Sequence, residues 1–213
     1  MSIKGVIFDL DGVLVFTDKL HYQAWKQMAD KMGIYFDEEI NNRLRGVSRM
    51  DSLEIILEKY YGEPLTLEQK ENLATEKNDT YRELLKTMTR DDATDEVRET
   101  LAELKCRGYK LSLGSSSKNA KFILERVELL DMFDAISDGN NITKSKPDPE
   151  VFLKGAEYLG LNPEDCLVVE DAGAGVEAGL AGGMQVAAIG DAVNCGKANY
   201  NLSTFGDLLK ICS

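Results

Sequence analysis

The sequence predicts an α/β protein, a mostly parallel sheet covered by helices, with an all-helical segment inserted after the first strand. Three observations carry this expectation. Short aliphatic runs recur along the 213 residues and are separated by helical periodicity, the alternation that builds parallel sheets. One stretch, from about Thr17 to Met88, breaks the alternation and shows helical patterns only. Two of the aliphatic runs end in paired acids, Asp9 with Asp11 and Glu170 with Asp171.

The first run, Gly5-Val6-Ile7, closes in Phe8-Asp9-Leu10-Asp11-Gly12. Side chains alternate along a strand, so Asp9 and Asp11 point one way and Leu10 the other. Two neighbouring carboxylates repel unless a cation or a shared proton intervenes. The pair therefore suits a nucleophile, a proton-transfer group and a Mg2+ site within one turn of chain, or else forms an ordinary strand-end turn around Gly12.

In the helical stretch, Leu53, Ile56, Leu57 and Tyr60 mark one helix, and Thr66 with Gln69 forms a capping box that opens another. Gly62-Glu63-Pro64 separates them. An insertion at this point is expected to cap the carboxyl end of the first strand, where open α/β sheets bind ligands. The expected division is residues 1–16 with 90–213 as a Rossmann-like core, and residues 17–89 as the cap.

After the insertion, Val97, Leu101 and Leu104 recur at helical spacing. Tyr109-Lys110-Leu111-Ser112-Leu113-Gly114 then reads as a second strand running into Ser115-Ser116-Ser117-Lys118 ahead of a helix marked by Phe122, Ile123 and Val127. A hydroxyl and backbone N–H groups there suit a phosphoryl oxygen, although serines also serve as plain helix caps. Phe133-Asp134-Ala135-Ile136 is a weaker strand. In Lys146-Pro147-Asp148-Pro149 the prolines stiffen a loop that presents Lys146, and Asp148 is expected to cap a helix with Pro149 at its first position. Cys166-Leu167-Val168-Val169 leads into Glu170-Asp171 and the glycine-rich Ala172-Gly173-Ala174-Gly175. Asp9, Asp171 and Glu170 offer the hard oxygen donors that Mg2+ takes. Gln185 to Ile189 is a further strand, and Asn199-Tyr200-Asn201-Leu202 is a poor one that leaves the last sheet edge short.

Composition limits the function. A net charge of −12 argues against nonspecific nucleic-acid binding. No run of about 18 apolar residues is present, so no membrane span is expected. Cys106, Cys166, Cys195 and Cys212 are scattered, without the spacing of a zinc site or disulfide framework. Met1-Ser2-Ile3-Lys4 leads straight into the first strand, so a cytoplasmic protein without a signal peptide is expected.

The DxDG strand end, the serine-ending second strand, the Lys-Pro pair and the Glu-Asp end with downstream glycines together resemble the haloacid dehalogenase superfamily, in its Mg2+-dependent phosphoryl-transfer branch. The resemblance covers the whole chain. It implies that Asp9 is a nucleophile that becomes an aspartyl phosphate and that Asp11 is general acid and base. It implies further that Ser115 and Lys146 hold the phosphoryl group, and that one Mg2+ is served by Asp9, Asp11, Glu170 and Asp171. In the cap, His21 to Trp25, Arg45-Gly46-Val47-Ser48-Arg49 and Lys77-Asn78-Asp79 resemble the substrate-recognition segments of the family's sugar-phosphate mutases, as do Ser116, Ser117, Lys118 and Asn119 in the core. That likeness implies interconversion of β-D-glucose 1-phosphate and glucose 6-phosphate through β-glucose 1,6-bisphosphate, by a protein expected to act as a monomer on small sugar phosphates. A sugar-phosphate phosphatase and a catalytically silent phosphosugar sensor are the alternatives. Trp25 stands between packing and sugar stacking. The resemblance also implies that Thr17 belongs to the catalytic set by positioning Asp11 at the hinge. One departure is plain: the family commonly has an acid before this threonine, and this chain has Phe16.

Overall fold

The computed structural model of the protein describes residues 3–44 and 47–213. Strand β1 (Gly5–Phe8) is followed by helices α1 (Asp18–Lys31), α2 (Glu38–Asn42), α3 (Arg49–Leu57) and α4 (Leu67–Leu85). The chain then alternates through α5 (Asp95–Cys106), β2 (Lys110–Gly114), α6 (Ala120–Arg126), β3 (Ala135–Ser137), α7 (Glu150–Leu159), β4 (Cys166–Glu170), α8 (Gly173–Ala181), β5 (Gln185–Ala188), β6 (Tyr200–Asn201) and α9 (Leu208–Ile211). It divides into two compact units, Met1–Phe16 with Met88–Ser213, and Thr17–Thr87.

In the α/β unit the six strands are all parallel, in the order β3-β2-β1-β4-β5-β6. The order reverses between β1 and β4, the switch point at which such sheets leave a crevice for ligands. Register is matched there, with Phe8 opposite Leu113 on β2 and opposite Val169 on β4. The residues that follow these three strands, Asp9, Ser115 and Asp171, therefore leave the same edge of the sheet. β1 and β4 are buried along their whole lengths, which is why they read as continuous aliphatic runs rather than alternating ones. Ile7, Val168 and Val186 from the sheet pack with Val151, Phe152, Ala156 and Leu159 of α7 and with Val176 of α8.

Three local expectations are corrected. The helix at Asp148-Pro149 begins one residue late: Pro149 is the N-cap of α7, and Asp148 Oδ1 instead accepts the Glu150 N–H at 3.0 Å. β3 starts at Ala135, because the Asp134 carboxylate turns back to accept the Leu111 N–H at 2.8 Å. Helix α3 ends at Leu57, which leaves Tyr60 in the following turn. The last strand is short as expected, with two residues. The Lys146–Pro147 peptide is cis.

The Thr17–Thr87 unit is built around Trp25, Met28 and Ala29 of α1, Ile34 and Phe36 after it, Ile40 of α2, Leu53 and Ile56 of α3, and Ala74 of α4. The Thr66–Gln69 capping box is formed in both directions, at 3.2 and 2.8 Å.

Candidate active site

Lys146 is the centre of the α/β unit's polar cluster. Its side chain is almost wholly buried, and its ammonium donates to Asp9 Oδ1 and Glu170 Oε1, both at 2.5 Å. It also lies 4.7 Å from the centre of the Phe152 ring, a favourable cation–π distance. Burial works against the charge, but the two carboxylates outweigh it and hold the ammonium well above its ordinary pKa. Asp9 is fixed from the backbone side by its own N–H, bonded to Val169 O at 3.0 Å. Glu170 is fixed by the Ala172 N–H, which donates to its second oxygen at 2.9 Å. Gly12 turns the chain with φ +82°, and its lack of a side chain makes room for the Asp171 carboxyl, which lies 2.0 Å from where a Cβ would sit.

Asp9, Glu170 and Asp171 each offer a carboxylate oxygen, and the three oxygens lie within 4.8 Å of one another. This hard, all-oxygen, anionic donor set fits a magnesium-like cation. Asp11, half-buried in the turn after β1 and bridged to Val15, is not one of the three. Without a cation the cluster is electrostatically costly. Burial first, then the charges of Asp9 and Glu170, push the Asp171 carboxyl up to about 8.

That shift has a signed consequence for stability. An unfolded aspartate titrates near 4, so between about pH 4 and 8 the folded chain binds more protons than the unfolded one. The contribution is fully present below the lower value and is lost as pH rises through 8. Relative to Asp171→Asn, metal-free protein is therefore expected to lose melting temperature between about pH 5 and pH 8, whereas the lowered His21 contributes the opposite slope below its unfolded value to both proteins alike. Thermal melts in a chelating buffer check this, and an equal slope in the variant sinks it.

The serine loop is held from below by the turn after β3. Ser115 N donates to Ser137 O at 3.1 Å, Gly139 N to Ser117 O at 3.2 Å, and Asn140 Nδ2 to Lys118 O at 3.0 Å. The turn itself is locked by Asp138 Oδ1, which accepts from Asn140 N, and by Asn141 Oδ1, which accepts from Asp138 N. Ser115 is buried, and its Oγ accepts the Ser117 N–H; the Ser117 Oγ accepts the Asn119 N–H. The Ser116 Oγ is buried without a hydrogen-bond partner among the described residues. Asn119 is buried and Lys118 exposed. Sequence reasoning missed Asp138, Asn140 and Asn141, although a Ser-Asp-Gly-Asn-Asn run is a strong turn signal.

The Thr17–Thr87 unit holds a separate cluster. Lys77 of α4 is 3 % exposed, donates to His21 Nδ1 at 3.1 Å, and sits 4.4 Å above the Trp25 ring and 4.8 Å above Tyr81. His21 stacks on Tyr81 at 4.0 Å between ring centres, and the Tyr81 hydroxyl donates to Thr17 Oγ1 at 3.2 Å. Burial, then the charges of Lys77 and Arg49, hold His21 well below its ordinary pKa, so the ring is neutral and carries its proton on Nε2. Arg49 Nη2 donates to Asn78 Oδ1 at 2.7 Å, and among the described residues no carboxylate forms an ion pair with it. Tyr81 was not foreseen; it is one turn beyond Lys77 on the same face of α4. Ser48 serves as the N-cap of α3, its Oγ accepting the Asp51 N–H, and Val47 precedes it. Arg45 and Gly46 lie outside the described residues. Phe16 is 73 % exposed.

The chain belongs to the haloacid dehalogenase-like hydrolases, whose family model matches residues 3–183. It is 41% identical over 193 residues to a β-phosphoglucomutase of Bacillus subtilis, covering 88% of this chain and 84% of that protein. It is 33% identical over 200 residues to a phosphorylated carbohydrates phosphatase of Thermotoga maritima, covering 92% and 89%. The crystal structure of a β-phosphoglucomutase from Clostridium difficile superposes with a TM-score of 0.90 at 38% identity, covering 97% of this chain and 93% of that one.

Proposed function

We propose that this chain is a β-phosphoglucomutase that interconverts β-D-glucose 1-phosphate and glucose 6-phosphate through β-glucose 1,6-bisphosphate. One observation favours a mutase over a phosphatase. Besides the carboxylate–lysine centre, a second anion receptor is available in the half-buried Arg49 guanidinium, which forms no ion pair with a carboxylate among the described residues. A monophosphate phosphatase needs one phosphate receptor, whereas a bisphosphate intermediate needs two. Similarity to β-phosphoglucomutases supports the same reading.

In this reading Asp9 attacks phosphorus, and the bond to the departing sugar oxygen breaks as the aspartyl phosphate forms. Asp11 gives its proton to that oxygen, the C1 oxygen of the 1,6-bisphosphate, so that glucose 6-phosphate departs. On the next β-glucose 1-phosphate it takes the proton of the C6 hydroxyl as the phosphoryl group passes from Asp9 to that oxygen and the bisphosphate forms again. Lys146 and Ser115 hold the phosphoryl oxygens, and His21 and Lys77 of the Thr17–Thr87 unit serve substrate recognition. Asp9, Glu170 and Asp171 would hold a Mg2+ ion, which when bound supplies charge neutralisation for the transferring group. The Thr17–Thr87 unit is the substrate-recognising cap, and the enzyme is a cytoplasmic monomer. The free state of all four cysteines and the lack of a membrane-length apolar helix among the described residues agree with that location.

The test is product analysis with β-glucose 1-phosphate, Mg2+ and a catalytic amount of the 1,6-bisphosphate, followed by phosphorus NMR. Glucose 6-phosphate should be the main product. Inorganic phosphate as the main product favours the phosphatase reading. Neither product, with no labile phosphate on the protein, favours a sensor.

A further inference from the structure

Gly175 lies in the first turn of α8, and its conformation does not call for glycine. Its φ is outside the left-handed region, and alanine is the better residue inside a helix. The requirement comes from the space beside it. A Cβ at this position would lie 1.9 Å from Glu170 Oε1, 2.0 Å from Cδ and 2.6 Å from Cγ, which no rotation of a methyl group relieves. The carboxyl that fills this notch is the one that accepts Lys146 through Oε1 and the Ala172 N–H through Oε2.

We infer that Gly175 is a positioning residue for the metal-binding and phosphoryl-transfer centre, supplying the room in which Glu170 is held against Lys146. The inference rests on the proposed function for its catalytic meaning, but the packing argument is independent of the sugar. A side chain at 175 pushes Glu170 out of the notch. Lys146 then keeps only Asp9 as a hydrogen-bonded carboxylate, and the three oxygen donors no longer sit within reach of one cation. Groups that orient metal ligands typically matter by about 10–100-fold in metal affinity.

The experiment is a double-mutant cycle of Gly175→Ala and Glu170→Asp, read by calorimetric titration of the metal-free protein with Mg2+ and by its thermal melting without Mg2+. Aspartate is one methylene shorter and leaves the notch clear. Gly175→Ala is expected to weaken Mg2+ binding by about 10–100-fold and to lower the melting temperature in the Glu170 background. In the Glu170→Asp background the same change is expected to leave Mg2+ affinity nearly unaltered and to preserve or raise the melting temperature, because the clash is gone and alanine favours the helix. Equal penalties in both backgrounds overturn the proposal, as does wild-type Mg2+ affinity in Gly175→Ala. If Gly175→Ala fails to fold, recovery of folding in the double variant supports the proposal and its absence overturns it. A wild type that binds Mg2+ but makes no glucose 6-phosphate refutes the function while leaving the role of Gly175 standing. A wild type that binds no Mg2+ refutes the metal assignment, and the melting cycle still decides the packing claim.

Discussion

Asp9→Asn is expected to lower mutase turnover by on the order of 10⁴–10⁶-fold, the scale on which removing a covalent nucleophile falls. An amide is too weak a nucleophile to open a path through an aspartyl phosphate. It also removes one of three carboxylates clustered within 4.8 Å, so cation binding should weaken as well. The fold should survive, because Lys146 keeps its ion pair with Glu170 and the Asp9 backbone keeps its bond to Val169 O. Circular dichroism would confirm folding, and mass measurement after incubation with a small phosphoryl donor and Mg2+ should find no phosphate on the variant. Near-normal turnover, or a labile phosphate on the variant, removes Asp9 from the chemistry.

The parts of this centre that could be read in the sequence are those whose signal is local. Asp9 and Glu170-Asp171 stand out because continuous aliphatic runs halt on acids, whereas the expected shared strand face of Asp9 and Asp11 is not formed: β1 ends at Phe8, and Asp11 lies in the turn that follows. The parallel sheet follows from the same runs, since strands covered on both faces are aliphatic throughout. Long-range geometry was out of reach. Lys146 meets Asp9 across 137 residues of sequence, and only the fold shows that it also bridges to Glu170. The turn under the serine loop could be recognised as a turn, but not as a support for Ser115 to Lys118, which depends on β2 and β3 being neighbours. The start of α7 was misplaced because Asp148 reaches the Glu150 N–H in a local turn and leaves the capping position to Pro149. Arg49 stands out in the sequence only through the resemblance of Arg45 to Arg49 to a substrate-recognition segment, since an arginine at a helix start is ordinarily solvated. Its meaning comes from burial and from the neighbours the fold gives it, Asn78, Lys77 and a neutral His21.

Those neighbours make Arg49→Ala the second large prediction. Loss of solvent already disfavours the guanidinium charge, and only the more distant Asp79 favours it. Lys77 and Arg49 add positive potential around an imidazole that stays uncharged. A half-buried guanidinium with no carboxylate ion pair among the described residues is suited to receive an anion, and its planar fork matches a phosphate through paired hydrogen bonds. Removing a buried, charge-assisted contact of this type costs about 2–5 kcal/mol, or roughly 30-fold to several-thousand-fold in kcat/KM. Arg49→Ala is therefore expected to lose mutase kcat/KM on that scale while Asp9 is still phosphorylated by a small donor at nearly the wild-type rate, because such a donor has no second phosphate to hold. With the sugar poorly held, water should compete better for the phosphoryl group, and released phosphate should rise relative to glucose 6-phosphate. Arg49→Lys should recover only part of the loss, since a point charge does not reproduce the paired bonds. Wild-type mutase turnover in Arg49→Ala would remove the second phosphate receptor from the proposal and, with it, the structural reason for preferring a mutase to a phosphatase, even if the chemistry at Asp9 stands.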